Sequence, residues 1–197
     1  MSGEFKTIKK PTEAEFKDRG SKFICYTFRV DDKDEVKSRL AELNQLHPSA
    51  RHFCYAYLIG PKGEEYRAND DGEPNGSAGL PILNQIKSKE LTNTLAVVVR
   101  YFGGTKLGVS GLINAYKETT RMALEKAKVV VEIPKTIIKL KFPHSRIGDV
   151  ERIIRQNNWE IVNQKFEMDC EWAVRFPESE KETGLSQFNP MTDVQLF

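Results

Sequence analysis

The sequence is poor in cysteine and histidine, with three of each in 197 residues. Cys25, Cys54 and Cys170 lie far apart and form no C-x-x-C pair. A disulfide framework or a zinc knuckle therefore has no support, and a reducing cytosol is the expected setting. Long apolar runs are missing as well. No stretch approaches the roughly 20 apolar residues of a membrane span, and the opening "MSGEFKTIKKPTEAEF" lacks the apolar segment of a signal peptide. A soluble, cytoplasmic protein with no membrane partner is expected. Nor is there an excess of charge of one sign: 21 basic and 18 acidic residues precede Pro134, and 9 and 10 follow it. With neither half a polybasic arm, electrostatic binding has to come from a local patch.

What the sequence does have is 39% hydrophobic residues, enough for a core, in a length that suits two small domains. "SKFICYTFRV" is β-branched and aromatic and predicts a strand, and "DDKDEVKSRLAELNQLHP" spaces Val36, Leu40 and Leu43 as a helix ending before Pro48. "HFCYAYLI" and "EEYRAND" read as a hairpin turned by "GPKG". "DDGEPNGSAG" is a loop, and "LPILNQIKSKE" is a short helix with Pro81 near its first turn. "TLAVVVRYF" has the continuous apolar character of a strand buried on both faces. From Ser110 to about Lys128, Leu112, Ile113, Tyr116, Thr120, Ala123 and Leu124 mark one side of a helix. After "VVVEIPK" the pattern restarts as strand, helix, strand, strand, helix, strand, the βαββαβ order of a ferredoxin-like unit. The expected class is α+β, with domains at 1–133 and 134–197.

The densest signal is "RYFGGTKLGVSGL", residues 100–112, where a buried strand turns into a helix through four glycines. Such a turn lets backbone N–H groups approach an anion at a helix N-terminus, and Lys106 adds a point charge. It matches neither G-x-G-x-x-G nor the G-K-[ST] ending of a phosphate-binding loop. Glycine there also suits positive φ or close packing, with Ser110 as a plain N-cap, and the residue types fit both readings. Arg100, Tyr101, Phe102 and Lys106 interleave cations with rings, as single-stranded RNA surfaces do, with Lys22, Phe23 and Arg51 available from other elements. The plainer alternative has the two rings finishing the core and Arg100 paired with Asp70 or Asp71.

Asp70, Asp71 and Glu73 share the acidic loop, but the alternating spacing and distal Glu of a calcium loop are missing. A solvated turn shaped by Asp71-Gly72 and Pro74 is the default, with no metal. His52 and Cys54 fall on one strand face without a third group, which reads as packing rather than as a nucleophile and its base. His47 and His144 sit beside prolines and carry no signal.

Together "DDGEPNGSAGLPIL", "LAVVVRYFGGTKLG" and "GLINAY" resemble the IMPACT family, also called uncharacterised protein family 0029, with "SKF" and "HFCYAY" extending the likeness over roughly residues 15–128. Residues 137–197 resemble the ferredoxin-like domain appended in bacterial members. The resemblance implies an N-terminal domain with the fold of the second domain of a small-subunit ribosomal protein. It also implies a C-terminal module similar to the last domain of the translocation elongation factor. Eukaryotic members restrain the starvation-responsive initiation-factor kinase through its ribosome-linked activator. The extra domain serving that partnership has no counterpart here, so the kinase role is not carried over.

Asp70, Asp71, Gly72, Glu73, Pro74, Gly79, Arg100, Tyr101, Phe102, Gly103, Gly104, Lys106, Leu107 and Gly108 match the family pattern. Cys25 and Ser110 depart from it, standing where a small residue and a glycine are usual. The expectation is a non-catalytic regulator of translation that binds RNA or the ribosome, needs no cofactor and has a possible translation-related protein partner. Arg100, Lys106 and the Gly103, Gly104 and Gly108 corner would contact phosphate, Tyr101 and Phe102 would support or stack, and Asp70, Asp71 and Glu73 would hold Arg100. The rivals are a nucleotide- or phosphate-binding enzyme with magnesium on the acidic loop, and a protein-interaction module.

Overall fold

The computed structural model describes residues 3–191 and 193–196. The chain divides into two compact units, one spanning Phe5–Glu132 and the other combining the residues before Phe5 with the chain from Ile133 onward.

The first unit is built on five antiparallel strands. In chain order they are β2 (Thr12–Asp18), β3 (Ser21–Arg29), β4 (His52–Ile59), β5 (Glu65–Asn69) and β6 (Thr94–Tyr101), arranged in space as β2-β3-β6-β4-β5. A short ribbon of β1 (Phe5–Ile8) against β7 (Val129–Glu132) joins the beginning and end of the unit. α1 (Lys33–Leu46) begins at Asp32, whose carboxylate accepts from the Asp34 and Glu35 amides, and it ends where His47 precedes Pro48. α2 (Gly79–Ser88) and α3 (Gly108–Glu125) complete the set.

Both faces of the sheet are covered. Leu95, Val97 and Val99 of β6 pack with Val36 and Leu43 of α1, while Ala96 and Val98 pack with Ile82, Leu83, Ala115 and Tyr116 of α2 and α3. That is why β6 is apolar at every position from Leu95 to Val99: a strand between two covering layers has no solvent face.

The sequence reading contains no strand for β1, β2 or β7, and it bounds α3 differently. β2, "TEAEFKD", is an edge strand whose charged positions alternate with the buried Ala14 and half-buried Phe16. α3 starts two residues earlier than Ser110, at Gly108, and ends at Glu125. The N-cap position belongs to Leu107, which offers no side-chain bond, and Ser110 falls inside the first turn rather than capping it.

In the second unit β8 (Lys135–Phe142), β9 (Glu160–Phe166), β10 (Cys170–Pro177) and β11 (Gln195–Leu196) form one antiparallel sheet in the order β11-β8-β10-β9. α4 (Ile147–Gln156) and α5 (Lys181–Ser186) supply its helices. Counting strands within the unit, the spatial order is 4-1-3-2, the split-βαβ ferredoxin-like arrangement. Alternate residues of β10 point inward, and Trp172, Val174 and Phe176 join Leu140, Phe142 and Phe188 in a closed core. The fold is α+β throughout.

Candidate functional site

Strand register decides which of the sequence-selected residues meet. Phe23, Arg100 and His52 lie opposite one another across β3, β6 and β4, so they share a face. Phe23 belongs to the core beneath α2 and α3, and Arg100 therefore points to that side. Tyr101, the next residue, packs on the α1 side, opposite Lys22. Adjacent in sequence, Arg100 and Tyr101 are separated by the sheet.

Arg100 is not a surface cation. Its Nη1 donates to Glu73 Oε1 at 2.5 Å, with only 7% and 4% of the two side chains exposed. The guanidinium lies over the rings of Phe23 and Phe102, 5.4 and 5.6 Å from their centroids. Tyr116 Oη donates to the same Glu73 oxygen at 2.8 Å. Cys54 Sγ lies 3.3 Å from Tyr116 Oη and 2.9 Å from the Asp70 carbonyl. Burial pushes the Cys54 thiol and the Tyr116 hydroxyl well above their ordinary pKa values, so neither is poised to ionise. The charge of Arg100 is balanced inside the unit by Glu73, one of the three acids expected to hold it; Asp70 and Asp71, the partners in the plainer alternative, are engaged elsewhere.

The other two acids are also engaged by protein donors. Asp70 accepts from the amides of Gly76, Ala78 and Gly79 at 2.8 to 3.0 Å, which places its carboxylate at the start of α2. Asp71, at φ +42°, accepts from the Phe53 amide at 2.6 Å, and its carbonyl meets His52 Nδ1 at 2.9 Å. The loop therefore folds back on the sheet. Among the described residues no group of three His, Cys, Asp or Glu side chains could hold a metal ion.

The glycine corner is exposed, as are Asp71, Gly72 and Pro74 of the acidic loop. Gly103 N donates to Ser21 Oγ at 3.1 Å, and a Cβ on Gly103 would collide with the backbone of Gly20 in the β2–β3 turn. That turn is a two-residue hairpin with Arg19 at φ +45° and Gly20 at +79°. Gly104 (φ +89°) and Gly108 (φ +74°) have open space where a Cβ would stand, so backbone conformation alone favours glycine there.

Phe102, Gly103, Gly104, Lys106 and Gly108 are exposed, whereas Leu107 is buried and pins the corner to the core. The first turn of α3 has neither a side-chain cap nor an acidic residue, which leaves its free amides and positive end unopposed. Lys106 makes no ion pair among the described residues.

Other cations gather at this end of the sheet. Lys17, Lys22 and Tyr101 occupy one row by register, Arg19 sits in the adjoining turn, and exposed Arg51 precedes β4. Glu15 serves both Lys22 at 2.7 Å and Lys17 at 3.1 Å, and it titrates below the usual carboxylate range because of those bonds.

Tyr101 donates no stacking face to this row. Half-buried, its hydroxyl meets His47 Nδ1 at 2.8 Å, while Tyr26 meets His47 Nε2 at 2.9 Å. The sequence carried no sign of that bridge, because its partners lie 21 and 54 positions from His47.

The five-stranded unit with its glycine corner, followed by a ferredoxin-like unit, defines a class of two-unit α+β proteins, and relatives of this class are identifiable. Residues 19–124 match the family model described as the Impact N-terminal domain. IMPACT family member YvyE of Bacillus subtilis is 34% identical over 180 residues, covering 91% of this chain and 83% of the relative. IMPACT family member YigZ of Escherichia coli is 32% identical over 149 residues, or 75% and 73% of the two chains. A crystal structure described as that of a hypothetical protein superposes with a TM-score of 0.78 at 28% identity, over all of this chain and 97% of the other. The chain belongs to the IMPACT family.

Proposed function

We propose that this protein binds RNA, alone or as part of the ribosome, and tunes translation without catalysing a reaction. The observation that carries the reading is the corner from Phe102 to Gly108. There an uncapped helix N-terminus, an exposed ring and Lys106, which makes no ion pair among the described residues, follow one another along the chain beside the turn that holds Arg19, while Lys17 and Lys22 lie in the Tyr101 row on the α1 side of the sheet. Phosphate oxygens would accept from Lys106 and from the first-turn amides of α3, with the surrounding lysines and arginines contributing longer-range attraction. Arg100 acts from behind: held by Glu73, it fixes the strand end from which the corner springs.

The engagement of Asp70, Asp71 and Glu73 by protein donors supports a binding role over magnesium-assisted phosphoryl transfer, which needs free carboxylates. Placement in translation rests on the family likeness. The test is co-sedimentation of the purified chain with ribosomes at low salt, with and without ribonuclease. Release by ribonuclease or by raised salt is expected, and a protein that never leaves the top of the gradient contradicts the reading.

A further inference from the structure

We infer that Phe102 is a stacking platform for an unpaired nucleobase, so that the corner selects single-stranded over duplex RNA. This rests on the RNA-binding reading above and adds the form of nucleic acid recognised.

Phe102 is 57% exposed, although the strand it follows is buried from Thr94 to Arg100. One side of the ring is taken by the Arg100 guanidinium, 5.6 Å from its centroid. That guanidinium is itself held by Glu73 on Nη1 and backed by Phe23 on the core side, so the order inward is ring, cation, ring. Nε of Arg100 is buried and makes no hydrogen bond among the described residues; the guanidinium meets Glu73 along its edge and the two rings across its faces. The support beneath Phe102 is therefore a buried, ion-paired guanidinium held in place by Glu73 and Phe23, while the rest of the ring faces solvent.

Every base has a π-face that can lie on such a ring, and the gain does not depend on base identity. In an A-form duplex those faces are already stacked on each other, and only backbone and groove edges are offered. Lys106 and the α3 N-terminus, within the same corner, are positioned along the chain to take the phosphate of the stacked nucleotide. The corner thus offers a ring for one base and donors for its backbone.

The experiment measures affinity by fluorescence anisotropy for a labelled 12-nucleotide single-stranded RNA and for the same strand in a perfect duplex. The full chain is compared with Phe102→Leu, Phe102→Trp and Lys106→Ala, each checked for an unchanged thermal midpoint. Loss of one base–aromatic stack weakens single-strand binding by about 5- to 150-fold. Phe102→Leu should show that loss with an unchanged salt slope and unchanged duplex affinity, and Phe102→Trp should restore it. A 2-aminopurine placed in the strand should be quenched by the wild type and less so by Phe102→Leu.

If Phe102→Leu binds both RNAs as the wild type does while Lys106→Ala weakens both, the stacking inference is overturned and the RNA reading stands. If the wild type binds neither RNA, the stacking inference is overturned, and the RNA reading falls with it if the chain also fails to co-sediment with ribosomes.

Discussion

Arg100 and Glu73, 27 residues apart, form a buried ion pair that joins the end of β6 to the acidic loop before α2. Both charges have left water, and each is tolerated only because the other is present, with Tyr116 completing the carboxylate. The pair ties the end of an apolar strand to the acidic loop, next to the exposed glycine corner.

Breaking that pair from one side should be costly. Arg100→Ala leaves Glu73 buried and uncompensated, and a loss of about 3–5 kcal/mol is expected in urea unfolding. Glu73→Gln keeps the shape but leaves the Arg100 guanidinium, which cannot shed its charge, without a counter-charge, and should cost about as much. Small losses for both variants would show that the pair contributes little.

The glycines of the corner should rank by what surrounds them. Gly103→Ala places a methyl group against the Gly20 backbone and should destabilise most, since neither strand end can retreat without losing the turn. Gly104→Ala and Gly108→Ala meet no atoms and bear only the positive-φ penalty, about 1–2 kcal/mol each. Thermal midpoints of the three variants test the order, and a Gly103→Ala protein as stable as the wild type would refute the close approach.

His47 gives a pH dependence of known sign. Burial lowers its pKa in the folded state below the ordinary 6.5, against a smaller raising effect of Glu13. A base of depressed folded pKa favours unfolding when it takes up a proton. Its contribution is therefore complete above about pH 6.5, the unfolded value, and is lost as pH falls through the folded value. The stability of wild type minus His47→Phe, measured by urea unfolding between pH 5 and 8, should fall on acidification. A flat or rising difference would contradict the assignment.

The two units should be separable. The unit spanning Phe5–Glu132 closes its own ends through the β1–β7 ribbon and the Arg29–Glu132 ion pair, and each unit has its own core. A fragment ending at Glu132 is expected to fold alone with a cooperative transition. Failure of that fragment to show a transition, with the full chain melting in one step, would point to a single cooperative fold.

How much of this was legible in the sequence depended on the range of the interactions involved. β6, α1 and α2 declare themselves through periodicity and local caps, and the βαββαβ order of the second unit could be read without any partner. β2 was missed because an edge strand with two inward residues looks like a charged linker. α3 was started late because Ser110 is a better cap by type than Leu107, yet the chain enters the helix through Gly108, at positive φ. The residues of the candidate site were legible as types and positions, but their orientation was not. Strand alternation alone sends Arg100 and Tyr101 to opposite faces; which face holds a buried carboxylate depends on a loop 27 residues upstream. His47 was passed over for the same reason, since its two tyrosines come from β3 and the end of β6.

Contact between the glycine corner and nucleic-acid phosphate is read out by the affinity of Lys106→Ala for single-stranded RNA across a salt series. Lys106 is exposed and makes no ion pair among the described residues, so the variant should fold as the wild type does. Weaker binding is expected, with a plot of log affinity against log salt shallower by roughly 0.7 for the one lost contact. Unchanged affinity with an unchanged slope would remove Lys106 from the interface and leave the corner a structural turn.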